Sequence, residues 1–304
     1  MEYVLSTNAI CKNYKHFKAL SGLSMHVPKG SIYGFVGKNG AGKTTLIRLI
    51  CGLQKPTSGE YTLYGISNTA TDIQKSQRKI GAVVETPSIY LNMTAEENLK
   101  EQYIILGLPS FDDIPELLRL VGLEGTGKKK AKNFSLGMRQ RLGIAIALCG
   151  DPDFLVLDEP INGLDPQGII EIRELILKLN RERQITFLIS SHILDELSRL
   201  ATHYGFIDQG RIIKEISAEE LEAACQKCMR LEVSDLRVLP RVMDELNIEY
   251  HILSDAQVDV STNITATKLV LELAKKGCEV ISIHERDESL ESYYVSLLGG
   301  NANE

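Results

Sequence analysis

The stretch Gly37-Lys38-Asn39-Gly40-Ala41-Gly42-Lys43-Thr44-Thr45 follows the pattern G-x-x-x-x-G-K-[ST]. Glycines in such a loop let backbone N–H groups curl around phosphate oxygens with no side chain in the way. A helix beginning at Lys43 adds the partial positive charge of its N-terminus. Lys43 reaches the β- and γ-phosphates, and the Thr44 hydroxyl is placed to ligate Mg²⁺. These residues point to a nucleoside triphosphate held with Mg²⁺, and alone to nothing narrower.

A second constellation is Phe154-Leu155-Val156-Leu157-Asp158-Glu159-Pro160. It has the form of a Walker B strand, in which an apolar strand ends on two acids. Asp158 would hold Mg²⁺ through water. Glu159, next in line, would polarise the attacking water as general base.

The elements that must position these groups follow from periodicity. Alternation at Leu23, Met25 and Val27 reads as a strand, turned by Pro28-Lys29-Gly30. Val4-Leu5, Tyr61–Tyr64 and Ala82–Val84 read as further strands. Ser31–Val36 is a strand ending at the glycine-rich loop, and Lys43 to about Cys51 a helix. From about Ala95 to Ala147 the pattern turns helical, with Glu96–Leu106, Ile114–Val121 and Gly137–Leu148 as the predicted helices. Phe154–Leu157 and Ile185–Ile189 are short continuous apolar runs of the kind buried parallel strands have. Between them, Asp165-Pro166 supplies an N-cap and a first-turn proline for a helix with Ile172, Ile176 and Leu179 on one face. A helix at Ile193–Leu200 and a hairpin turned by Asp208-Gln209-Gly210 complete an α/β core with a helical insertion.

After about Ala218 the pattern changes. A helix is predicted over Ala218–Cys228, with Leu221, Ala224, Cys225 and Cys228 as its apolar stripe. The order then runs strand (Arg230–Val233), helix (Leu239–Leu246), strand (Tyr250–Leu253), strand (Val258–Val260), helix (Thr265–Lys275) and strand (Glu279–Ile283). That is the β-α-β-β-α-β order of a ferredoxin-like α+β fold. A last helix is predicted over Leu290–Leu298.

Composition narrows the function classes. The chain has 304 residues and a formal net charge of −6, which points away from nucleic acid as a partner. Lys128-Lys129-Lys130 reads as a solvated loop. The longest apolar stretch, Leu142–Cys149, falls far short of the ~18 residues of a membrane span. The N-terminus lacks a signal-peptide core. The expectation is a cytoplasmic chain, or one held on the membrane by a partner. The six cysteines form no metal framework, and Cys225-x-x-Cys228 reads as packing.

Phe134-Ser135-Leu136-Gly137-Met138-Arg139-Gln140-Arg141 turns these observations into a resemblance. It is similar to the LSGGQ-x-Q-R signature of the ATP-binding cassette (ABC) family, with Leu136 in place of the first glycine and Met138 in place of the glutamine. Loosened signatures of this form resemble those of bacterial drug and peptide-antibiotic exporters. The resemblance spans about residues 1–217. It implies a P-loop ABC cassette: a mixed sheet core, an antiparallel β subdomain and a helical subdomain, followed by an accessory domain over about residues 218–304. It implies ATP and Mg²⁺ as cofactors, and a second copy of the chain, or a related cassette, whose ATP meets Ser135 and Gly137. Tyr14 lies where the family stacks an aromatic on adenine. Asn162-Gly163-Leu164-Asp165 resembles the D-loop, and His192 the switch histidine that contacts the γ-phosphate. The family's Q-loop glutamine is replaced by Glu85, as in bacitracin- and lantibiotic-type exporter cassettes, where a carboxylate would meet Mg²⁺ or its water. The implied function is the ATP-hydrolysing subunit of an exporter with a separate transmembrane permease, peripheral on the inner face of the membrane. A soluble cassette ATPase and an importer ATPase stand as alternatives.

Overall fold

In the computed structural model of this chain, the opening residues form β1 (Tyr3–Tyr14) and β2 (Phe17–Pro28). β3 (Ile32–Val36), α1 (Lys43–Ile50), β4 (Ser58–Leu63), β5 (Ile66–Ser67), α2 (Ile73–Gln77) and β6 (Ile80–Val83) follow. The helical stretch holds α3 (Ala95–Leu106), α4 (Ile114–Leu120) and α5 (Leu136–Leu148). Strand and helix then alternate through β7 (Phe154–Asp158), α6 (Pro166–Arg183), β8 (Thr186–Ser191), α7 (Leu194–Ser198), β9 (His203–Asp208) and β10 (Arg211–Ser217). The remainder comprises α8 (Ala218–Ala224), β11 (Cys228–Val233), α9 (Leu239–Leu246), β12 (Tyr250–Ile252), β13 (Gln257–Ser261), α10 (Ala266–Lys275), β14 (Val280–Arg286) and α11 (Leu290–Gly300). The structure describes residues 2–224, 228–246, 248, 250–254, 256–261, 264–286 and 290–300. They fall into two compact units, Met1–Ala218 and Glu219–Glu304.

The first unit has two sheets. One is antiparallel, in the order β2-β1-β4-β5; the other has the order β10-β9-β3-β8-β7-β6. In the second sheet β9, β3, β8, β7 and β6 run parallel, and β10 pairs antiparallel with β9. Every residue of β3, β7 and β8 is buried, which is why these strands read as unbroken apolar runs. Leu5, Leu23 and Met25 of the antiparallel sheet share one core with Phe35, Leu46, Ile47 and Val156. Leu46 and Ile47 lie on α1, so the helix that follows the glycine-rich loop is packed in the middle of the core. Because the parallel strands share one direction, the loops after β3, β7 and β8 leave at one end of the sheet, where such sheets place ligands.

β1 and β2 are far longer than their apolar alternation suggests. Register irregularities between Thr7 and Ile10 reset the period of two, and Ala9 sits at φ 47° in the break. The helical stretch is capped as its composition dictates: Thr94 and Glu97 form a capping box at the start of α3, and Gly107 ends it in the left-handed region. α3 packs on α4 and α5, and α5 reaches β6 and α6.

The second unit has a four-stranded antiparallel sheet, β12-β13-β11-β14. That is the ferredoxin-like strand order. Met229, Leu231, Val258 and Val260 pack on Val242, Met243, Leu269 and Leu273. One expectation is corrected here. The helix predicted over Ala218–Cys228 is described as α8 over Ala218–Ala224, and Cys228, expected in that helix, instead opens β11, where it pairs with Ser261 and Arg286. The burial of Met229, Leu231 and Val233 shows the strand alternation that wins over the helical spacing. Leu221 and Cys228 therefore share no helix stripe, and Cys225 lies outside the described residues. Among the described residues no helix is long and apolar enough to cross a membrane.

Candidate functional site

β3 delivers the glycine-rich loop and α1 receives it. Gly42 caps α1 at φ 113°, with no side chain accepting from the first turn and no acid within it. The N–H groups at this helix start are thus left for an anion. A side chain at Gly42 would also collide with the Ala19 carbonyl, 2.7 Å from its Cβ position, and one at Gly37 would lie 2.6 Å from Ile207. The loop is therefore wedged between β2 and β9 as well as curled. Lys38, Asn39 and Gly40 are exposed at its tip, Ala41 is buried at its base, and Thr44 and Thr45 are half-buried on α1.

Lys43 is 6% exposed and folds back over its own loop, donating to the Gly37 carbonyl at 2.5 Å. Its Nζ lies 3.2 Å from Glu159 Oε1. The other oxygen of Glu159 lies 2.9 Å from His192 Nδ1. Glu159, at φ 50°, leaves β7 in a left-handed turn, held by its N–H on the Ser190 carbonyl and hydroxyl. Lys43, Glu159 and His192, from the start of α1 and the ends of β7 and β8, thus form one contiguous cation–carboxylate–imidazole group. Asp158 is buried beside it and accepts from the Ser190 hydroxyl at 2.5 Å. Sequence reasoning passed over Ser190, although it lies in the Ile189-Ser190-Ser191 strand end.

The second oxygen of Asp158 is buried and has no hydrogen-bond partner among the described residues. A buried carboxylate oxygen left so is costly, and a hard cation with its water shell resolves the cost. With the Thr44 hydroxyl at the start of α1, the donor set suits Mg²⁺, which takes oxygen ligands and keeps several waters. Glu85 is placed otherwise. It sits at φ 62°, and its carboxylate meets Arg48 of α1 at 2.6 Å.

Tyr14, half-open to solvent at the end of β1, donates its hydroxyl to Gln54, and the Lys12 ammonium stands 5.3 Å from its ring centroid. Ser135 caps α5, accepting from the Met138 N–H at 3.2 Å. Gly137 therefore lies in the first turn, and Leu136, at 50% exposure, opens the helix. Leu136 approaches the Gly163 turn, whose Cβ position is 3.4 Å from its side chain. Asp165 caps α6 as its sequence context predicts.

A parallel-strand sheet with a glycine-rich loop, a lysine and an acid pair at its carboxyl end defines a phosphate-loop ATPase; a helical insertion ending in a serine-capped signature narrows this to the cassette type. Residues 20–162 match the ABC transporter family. The chain is 41% identical over 303 residues to "Bacitracin transport ATP-binding protein BcrA" of Bacillus licheniformis, covering 99% of both chains. It is 43% identical over 212 residues to "Lantibiotic transport ATP-binding protein SrtF" of Streptococcus pyogenes, covering 70% of this chain and 90% of that one. Among solved structures, the dimeric cassette MJ0796 bound to ADP and Pi superposes with a TM-score of 0.64 at 26% identity, covering 70% of this chain and 98% of that one. This chain belongs to the ABC transporter family, as its ATP-hydrolysing, nucleotide-binding subunit.

Proposed function

We propose that this chain is the motor of an exporter for a peptide antibiotic of the bacitracin or lantibiotic type, or a similar amphipathic drug-like compound. Two cassettes, two copies or one with a related chain, close around ATP–Mg²⁺ and drive a separate transmembrane permease. The chain then works in the cytoplasm, peripheral on the inner face of the membrane. The observation that carries this reading is the Lys43–Glu159–His192 cluster beside the orphaned Asp158 oxygen, in a chain similar over 99% of its length to a bacitracin transport ATP-binding protein. Similarity that continues through the accessory region favours a transporter over a soluble cassette.

On this reading residues 1–217 form the nucleotide-binding domain, with the helical subdomain at about 86–150, and 218–304 an accessory domain. Gly37 to Thr45 wrap the phosphates, with Lys43 on the β- and γ-phosphates. Tyr14 stacks on adenine. Thr44, Asp158 and Glu85 would hold Mg²⁺, directly or through water, and the ion would supply charge neutralisation of the phosphates. Glu159 takes the proton of the attacking water, and His192 orients its carboxylate and touches the γ-phosphate. Ser135 and Gly137 present N-terminal helix donors to the ATP of the opposite cassette.

The test is affinity purification of tagged protein from detergent-solubilised host membranes. A polytopic membrane protein in stable ratio is expected. Recovery only from the soluble fraction, alone or with ribosomes, overturns the exporter reading.

A further inference from the structure

Glu85 leaves β6 beside the acid pair. β6 and β7 are parallel neighbours with Val83 level with Leu157. Glu85 lies as far past Val83 as Glu159 lies past Leu157, so the two carboxylates leave adjacent strands at the same height. Yet Glu85 is turned aside, in the left-handed region at φ 62°, and its Oε1 accepts from the Arg48 guanidinium at 2.6 Å. A non-glycine residue holds that backbone region only where its surroundings favour it.

Arg48 lies four residues after Thr44 on α1. Residues so spaced stack on one helix face, about 6 Å apart along the axis. The burial of α1 agrees: Thr44, Thr45 and Arg48 are half-buried, while Lys43, Leu46, Ile47, Leu49 and Ile50 are buried. The face that carries the Mg²⁺-ligating hydroxyl therefore carries, one turn further on, the cation that holds Glu85. On the reading that Glu85 serves Mg²⁺ at Thr44, the carboxylate has a second station on this helix besides Arg48, and it cannot occupy both.

We propose that Arg48 is a positioning residue: its ion pair with Glu85 latches the loop after β6 in a resting state, and the latch opens when Mg²⁺–ATP recruits the carboxylate. The inference rests on the reading that Glu85 serves Mg²⁺. The pair suits a latch because it is weak. Arg48 and Glu85 are 36% and 56% exposed, and exposed pairs yield readily to a divalent cation. Both residues also line a groove of about 460 Å³ with Leu53, Ile80 and Val84, so opening the latch changes the surface of that groove.

The experiment is a Mg²⁺ titration of the binding of a non-hydrolysable fluorescent ATP analogue to the full chain, with binding without Mg²⁺ as reference. Arg48→Gln is expected to lower the half-saturating Mg²⁺ concentration about two- to five-fold, the range an exposed ion pair supplies. Arg48→Lys, which keeps the charge, should stay near wild type and shows that the site tolerates substitution. Glu85→Ala, which removes the oxygen ligand, should raise the Mg²⁺ requirement, and Arg48→Gln added to it should do nothing further. If Glu85→Ala shifts the titration and Arg48→Gln does not, or if the Arg48→Gln shift persists without Glu85, the latch is wrong while the reading of Glu85 stands. If Glu85→Ala leaves the titration unchanged, the reading of Glu85 fails and the latch with it.

Discussion

Replacing Glu159 by glutamine keeps the shape of the site and removes one charge from its centre. The carboxylate stands between Lys43 Nζ at 3.2 Å and His192 Nδ1 at 2.9 Å. Two consequences follow with opposite signs. A glutamine cannot take a proton from water, so hydrolysis loses the contribution of a general base, about 10²- to 10⁴-fold. That is about 3 to 5 kcal/mol of barrier. Binding moves the other way. The triphosphate must draw Lys43 away from its present partner, and a charge-assisted hydrogen bond is about twice as strong as a neutral one. Relieving about 1 kcal/mol of that competition tightens ATP about five-fold. The assay pairs single-turnover phosphate release with equilibrium binding of a fluorescent ATP analogue, and gel filtration with ATP reports trapped dimer. Turnover within about ten-fold of wild type would remove Glu159 as the base. Weakened ATP binding would refute the competition with Lys43, and the resting cluster would then be a structural brace.

Lys43→Ala should lose most ATP affinity, because the ammonium buried at the loop is its principal cation; unchanged binding by calorimetry contradicts the phosphate-loop assignment. Tyr14→Ala should weaken ATP binding about five-fold and Tyr14→Phe much less, since stacking contributes ~1 kcal/mol and needs the ring rather than the hydroxyl; equal losses would assign the effect to the hydrogen bond with Gln54. Burial, with a smaller push from the Asp158 charge, raises the Cys51 thiol to about 12, and burial raises Cys149 to about 12. Both should alkylate at pH 8 at under about a tenth of their rate in denaturant, read by peptide mass spectrometry, and rapid modification would show them open to solvent. Since the folded state holds these protons to higher pH than the unfolded chain, their stabilising contribution is complete below about 9 and is lost as pH rises to about 12. Thermal melts should fall across that window, and a flat profile would contradict the burial.

What was legible in the sequence depended on chain-local chemistry. The glycine-rich loop, the Asp158-Glu159 strand end and the Asp165 cap are each contiguous, and spacing alone identified them. The buried strands β3, β7 and β8 announced themselves because both faces are covered. What stayed hidden was made by distant partners. Arg48 reaches Glu85 across 37 residues, Ser190 reaches Asp158 across 32, and Tyr14 reaches Gln54 across 40. No periodicity encodes such pairs, because the sheet order, not the chain order, brings them together. The region before β11 failed for another reason. The helical spacing runs as far as Cys228, and the apolar alternation of Met229, Leu231 and Val233 begins one residue later, so only the pairing of Cys228 with Ser261 and Arg286 decides.

The resting site has a property that single motifs do not show: apart from the orphaned Asp158 oxygen, its principal charges are already paired. Glu159 is matched by Lys43, and Glu85 by Arg48. Both cations lie on α1, and both carboxylates sit just past the ends of neighbouring strands, β7 and β6. On the proposed reading ATP does not enter a vacant cationic pocket. Its phosphates replace Glu159 as the partner of Lys43, while its Mg²⁺ replaces Arg48 as the partner of Glu85. Each exchange has a small net free energy, because an ion pair is lost for each one gained. Each also has a large geometric consequence, since one frees the general base and the other moves the loop beside the groove. A site that binds by exchange couples occupancy to shape at low cost, whereas one that binds by adding charge to an empty pocket gains affinity without moving anything.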